Sequence, residues 1–254
     1  LFNASDIAVV GNFSGAASTI AVAAVGANSF VISLVVNFFI GIALGANVVI
    51  ANAIGREDTD AVHRAVHTAV VVAVLGGALV TVLGELAAGP ALRALNVPAE
   101  VLPYALLYLR IYLLGVPVIL LYNFEAAIFR SVGDTRVPLQ TLAFSGVLNV
   151  LLNLFFVIVC KLDVVGVALA SAISQCVSAA LILHALTQVQ DCYALHFREA
   201  RLDPAMTRSI LALGLPAGFQ NAVFAIANLF IQAGVNSFDS LMVKGNSAAA
   251  NADN

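Results

Sequence analysis

NSFVISLVVNFFIGIALGANVVIANAI, residues 28–54, runs for 27 positions without a charged side chain. A helix needs ~20 mostly apolar residues to cross the hydrocarbon core of a bilayer, and this stretch exceeds that length. Water is absent there, so backbone N–H and C=O groups must be satisfied inside the segment, which an α-helix does. Five more stretches of the same kind follow, at about 62–86, 101–125, 138–160, 164–188 and 208–236. Some are rich in β-branched residues, such as Val70-Val71-Val72. In water that composition would favour a strand; in lipid the helix prevails. The expected fold class is therefore all-α, a polytopic bundle of transmembrane helices with six full spans.

Composition agrees with that environment. The chain of 254 residues is 61% hydrophobic and 10% charged, against roughly 25% charged in an ordinary soluble domain. A net charge of −3 leaves no basic footprint for nucleic acid. Cys160, Cys176 and Cys192 are widely spaced, without metal-ligand spacing, and read as packing residues. The chain starts at Leu1 without Met. Residues 1–13 read as the outer half of a helix that begins before the chain does, and residues 240–254 as the first turns of one that continues beyond it. Both ends are expected to be truncations.

Short polar segments join the spans: GREDTD (55–60), PALRALNVPAE (90–100), RSVGDTR (130–136), KLD (161–163) and HFREARLDP (196–204). Arg56, Arg64, Arg130, Arg136, Arg198, Arg201 and Arg208 lie on one side; Arg93, Lys161 and Lys244 lie on the other. The richer side is assigned to the cytoplasm. Asp203-Pro204 reads as a helix start and as the boundary between two bundles, 1–203 and 204–254. VGNFSG (10–15) faintly echoes VNSFDS (235–240) across it. Gly41 and Gly45 form a small-xxx-small pair that would let two helix backbones approach. Gly115 and Pro117 sit midway along 101–125, where proline is expected to kink the helix.

Polar groups inside the bilayer are costly, and an intramembrane carboxylate is a functional candidate by default. Asp6 lies about 10 Å below the outer interface, taking a rise of 1.5 Å per residue. Asn153 and Ser171 fall at a similar depth, and Asn149 is one turn deeper than Asn153 on the same face. These oxygens suit a monovalent cation or the surroundings of a proton-carrying acid. Their alternative role is to hydrogen-bond helices together. Asn37, Glu125, Gln220 and Asn228 are the further candidates, for a substrate cavity. Of these, Glu125 lies close to Arg130 and reads first as a structural ion pair or an interfacial carboxylate. Arg110 reads as snorkelling or paired, and Glu85 as interfacial. His63 and His67 share a helix face, but no third ligand is apparent nearby, so a solvated helix start is expected; His184 and His196 attract no role. No metal is expected beyond Na⁺ at Asp6. Hydrolase, zincin and nucleotide-loop motifs are missing, so the chain is not expected to be an enzyme. Uphill transport would have to draw on an ion gradient.

Four stretches carry a resemblance: LFNASDIAVVGNFSG (1–15) with AVAAVGAN (21–28), GIALGANVVIANAIGRED (41–58), AIFRSVGDTRVPL (127–139) and LGLPAGFQNAVFAIANLFIQAGVNSF (213–238). They resemble the multidrug and toxin extrusion (MATE) transporters, and the resemblance covers essentially the whole chain. It implies two six-helix lobes around a central cavity, of which this chain holds a clipped first lobe (1–203) and the start of the second (204–254). It implies a secondary active antiporter of the cell membrane, a bacterial inner membrane, that exports cationic or amphipathic small molecules in exchange for Na⁺ or H⁺. No other cofactor is implied. Membrane lipid and the absent C-terminal lobe are the remaining partners. The family's first-lobe ion site resembles Asp6, Asn149, Asn153 and Ser171. Asn153 stands where an acid is usual, which leaves one formal charge, and the span containing Phe224 has no carboxylate. The alternatives are a lipid-linked oligosaccharide flippase, disfavoured because Arg110 is almost the only membrane-embedded base; a non-functional fragment lacking its other lobe; and an intramembrane enzyme, which would need more than His63 and His67.

Overall fold

A computed structural model describes Val9, residues 18–95 and residues 97–236. Six long helices account for nearly all of these, and no strand occurs among the described residues. They are α1 (Ser18–Gly55), α2 (Thr59–Ala94), α3 (Leu102–Ser131), α4 (Arg136–Leu154), α5 (Asp163–Gln188) and α6 (Pro204–Asn236). A π-helical turn, Phe155–Val159, extends α4. All six helices contain a segment long and apolar enough to cross a membrane. Of the partial helices expected at residues 1–13 and 240–254, only Val9 is among the described residues.

Local signals set the helix starts. Asp58 caps α2 by accepting the Ala61 N–H at 2.9 Å. Asp134 accepts the Arg136 and Val137 N–H groups before α4, after a turn in which Gly133 takes φ +83°, a region open to glycine. Asp203 accepts from Ala205 and Met206 at 2.8 and 3.1 Å, the N-cap expected ahead of Pro204. Several helices run further than their apolar stretches. α2 continues through Pro90 to Ala94, and α3 continues to Ser131. The connection between α5 and α6 spans 189–203, longer than expected, and carries a 3-10 turn at Phe197–Glu199.

Helix α3 is central and packs on α1, α2, α4 and α5, while α6 packs chiefly on α1. The α1–α6 contact is built on glycine. A Cβ on Gly41 would strike the Gly218 backbone, one on Gly45 would strike Ile210 O, one on Gly214 would come within 2.8 Å of Ile42 Cα, and one on Gly218 within 2.6 Å of Phe38 O. The small-xxx-small pair thus has a matching pair on its partner. Pro117 enters α3 without a break in the helix and rests its ring on Gly77 of α2. Proline lacks the N–H that would bond the carbonyl four residues back. That carbonyl, Leu113 O, accepts instead from Thr81 Oγ1 of α2 at 2.7 Å. Asn28 and Asn47 of α1 each donate to a carbonyl of α3, Ala105 O and Ala127 O. Large apolar side chains such as Leu79, Leu86, Leu139 and Phe144 point outward, as a lipid solvent demands.

Candidate functional site

The sequence of α4 places Thr141, Ser145, Asn149 and Asn153 four residues apart, on one face, and all four are buried. The opposite face carries Leu139, Phe144, Val147 and Leu151, 58–67% exposed. A helix with that division turns its polar stripe inward, toward α5. There it meets Ser171, Ser174 and Ser178, also buried. Asn149 Nδ2 donates to Ser171 Oγ at 3.1 Å. Asn153 Nδ2 donates to Asn149 Oδ1 at 3.2 Å. Thr141, Ser145 and Ser174 bond carbonyls of their own helices, so the hydroxyls also serve local backbone. Just past Asn153 the backbone passes into the π turn, closed by the Cys160 N–H on Phe155 O at 3.1 Å.

Three of the four expected ion-site residues are therefore in one hydrogen-bonded group. Asp6, the fourth, lies outside the described residues. Thr141, Ser145, Ser174 and Ser178 extend the seam and escaped the sequence reading, although their spacing of three and four residues was visible there.

The cavity candidates are dispersed. Glu125 of α3 is fully buried, and neither carboxylate oxygen has a hydrogen-bond partner. The expected ion pair or interfacial setting is thus replaced by enclosure. α3 runs six residues past Glu125, and Arg130, five residues on, sits about 140° round the helix and is exposed. A buried carboxylate without a counter-charge costs several kcal/mol, so the position calls for a proton or a cation. Asn37 is half-buried and donates to Ser33 O and Oγ. Gln220 and Asn228 are exposed on α6. Arg110 pairs with Glu85 at 3.5 Å, and Glu85 lies well inside α2 rather than at a helix end.

The histidines depart most from expectation. His63 and His67 of α2 are joined by His196 and Glu199 from the α5–α6 connection, and one ligand-type atom of each lies within 4.8 Å of the others. The missing third ligand comes from 129 residues away in sequence.

Six helices long and apolar enough to cross a membrane, with a buried polar seam between α4 and α5, define a polytopic protein of the cell membrane. Residues 1–155 match the MatE family model, and the chain belongs to that family. "Probable multidrug resistance protein YpnP" of Bacillus subtilis (strain 168) is 29% identical over 96% of this chain and 54% of its own length. "Probable multidrug resistance protein NorM" of Thermotoga maritima is 26% identical over 94% of this chain and 52% of its own. A solved structure described as MATE in the bent conformation shares the fold, with a TM-score of 0.86 and 23% identity over 99% of this chain and 56% of that one. The chain spans about half the length of the curated relatives it matches.

Proposed function

We propose that the chain is part of a secondary active exporter that expels cationic or amphipathic compounds in exchange for H⁺ or Na⁺. The observation that carries this reading is the buried α4–α5 seam, where Asn149, Ser171 and Asn153 form one hydrogen-bonded group. Neutral oxygens clustered inside a membrane bundle suit a small cation or a protonatable acid, and Asp6 supplies the acid. Filling that site would alter the hydration and packing of the helix bearing Asp6. The change would bias the bundle between inward- and outward-open states, because a ligand shifts an equilibrium by its differential affinity for the two. The relatives named for multidrug resistance support the substrate class. The division into a lobe at 1–203 and the start of a second at 204–254 belongs to the same reading, with Asn37, Gln220 and Asn228 facing the substrate path between lobes and Glu125 enclosed within the first lobe. Arg110 is engaged by Glu85, which leaves little positive charge for a lipid pyrophosphate.

The test is export by the complete gene product in cells stripped of their own exporters. Wild type should lower accumulation of a fluorescent organic cation, and Asp6→Asn should restore accumulation while the protein reaches the membrane in normal amount. Unchanged export by Asp6→Asn would remove that acid from the mechanism. Collapse of export on dissipating the proton gradient, or on removing Na⁺, identifies the coupling ion.

A further inference from the structure

The geometry points to a Zn²⁺ site at the cytoplasmic end of α2, ligated by His63, His67, His196 and Glu199. His63 and His67 stand one helical turn apart, with ring centroids 4.1 Å from each other. Across from them, the 3-10 turn at Phe197–Glu199 presents His196 and Glu199 from the same short segment. His63 Nε2 already lies 2.9 Å from Glu199 Oε2. The His67 and His196 rings lie parallel within 7°, centroids 6.4 Å apart.

The protonation pattern of His67 favours coordination. Its Nδ1 lies 2.7 Å from the His63 carbonyl oxygen, which can only accept, so Nδ1 carries the proton. Its Nε2 accepts the His196 backbone N–H at 3.0 Å. The Nε2 lone pair therefore points at the α5–α6 connection, and a metal would take it in place of that amide. A ligating histidine whose other nitrogen bonds a backbone carbonyl is the usual arrangement around protein-bound zinc.

Three imidazoles and one carboxylate match the preference of Zn²⁺ for four nitrogen and oxygen ligands at ~2.0–2.2 Å. A tetrahedron of that size has edges of ~3.4 Å, so atoms now up to 4.8 Å apart must draw in by up to ~1.4 Å, while His63 Nε2 and Glu199 Oε2, at 2.9 Å, must part slightly. His196 and Glu199 are exposed and free to rotate inward, whereas His67 is buried and fixed. The segment is held close from beyond the cluster as well. The Asp203 N–H donates to Thr68 Oγ1 at 3.2 Å, and Arg64 pairs with Asp203 at 3.8 Å. Zn²⁺ would staple the α5–α6 connection to α2 and restrain α6 relative to the rest of the bundle. This holds whether or not the chain exports drugs.

The chain is purified in detergent without a histidine tag and titrated with Zn²⁺ against a chromogenic chelator. One Zn²⁺ per chain at micromolar Kd or tighter is expected. Co²⁺ should give the intense visible absorption of four-coordinate nitrogen and oxygen ligation. His196→Ala and Glu199→Gln should each weaken binding at least tenfold and abolish the Zn²⁺-induced rise in Tm, and His184→Ala, an exposed histidine of α5, should change neither. Less than one equivalent, a weak six-coordinate Co²⁺ spectrum, or affinity retained in His63→Ala/His196→Ala would overturn the site. The exposed ligands carry the test if a substitution at buried His67 disturbs folding.

Discussion

The α1–α6 and α4–α5 contacts join helices by opposite means. In the first, side chains are removed: Gly41, Gly45, Gly214 and Gly218 bring backbone against backbone. In the second, polar side chains are added: Asn149 donates across the gap to Ser171, and Asn153 of the same helix donates to Asn149. Lipid tails are as apolar as leucine, so neither contact gains from a hydrophobic drive, and close packing or hydrogen bonding must do that work. The glycine contact has no room for a guest. The polar contact encloses amide and hydroxyl oxygens that are themselves hydrogen-bonded. Glu125 is a third case, a polar group for which neither kind of contact provides.

The sharpest way to break the comparison is Gly218→Leu. Its Cβ already falls 2.6 Å from Phe38 O, so the larger side chain should cost ~3 kcal/mol, the upper range for overpacking. Thermal denaturation in detergent reads the loss, and an unchanged midpoint would mean that the close approach is incidental. Glu125→Met should act in the opposite direction and raise stability by ~1–3 kcal/mol, since it replaces a buried, unpartnered carboxylate by an apolar group of similar volume. A destabilised variant would show that the carboxylate has a stabilising partner in the complete protein. Asn149→Val removes the central member of the seam and should cost ~1–2 kcal/mol. Ser171→Ala leaves Asn149 able to bond Asn153 and should cost only ~0.6 kcal/mol, a typical interhelical hydrogen bond in a membrane. If the two losses are equal, the group does not act as a connected unit.

Much of this was legible beforehand, for a physical reason. Six apolar runs fix six spans because the bilayer leaves the backbone no other solution. Asp203-Pro204 fixed the start of α6 because cap chemistry is local. Helix ends were less legible. The connections expected at 90–100 and 130–136 began too early, and the span expected to end near 125 was too short; α2 continues through Pro90 to Ala94 and α3 to Ser131, since a helix emerging into water has no need to stop. That error placed Glu125 at an interface when it lies inside the bundle. The partnership of His63 and His67 with His196 and Glu199 was invisible, because only tertiary folding brings the α5–α6 connection to α2. The π turn after Asn153 has no sequence signal of its own among Phe155–Val159.

Pro117 leaves the middle of α3 one backbone hydrogen bond short, although the helix runs on unbroken. The shortfall is met from outside: the hydroxyl of Thr81, on a neighbouring helix, bonds the one carbonyl that proline left free. Drawing α2 and α3 far enough apart to lose that bond would strand Leu113 O in apolar surroundings, at ~1–3 kcal/mol. A single side-chain oxygen on α2 thus completes the hydrogen bonding of the bundle's central helix.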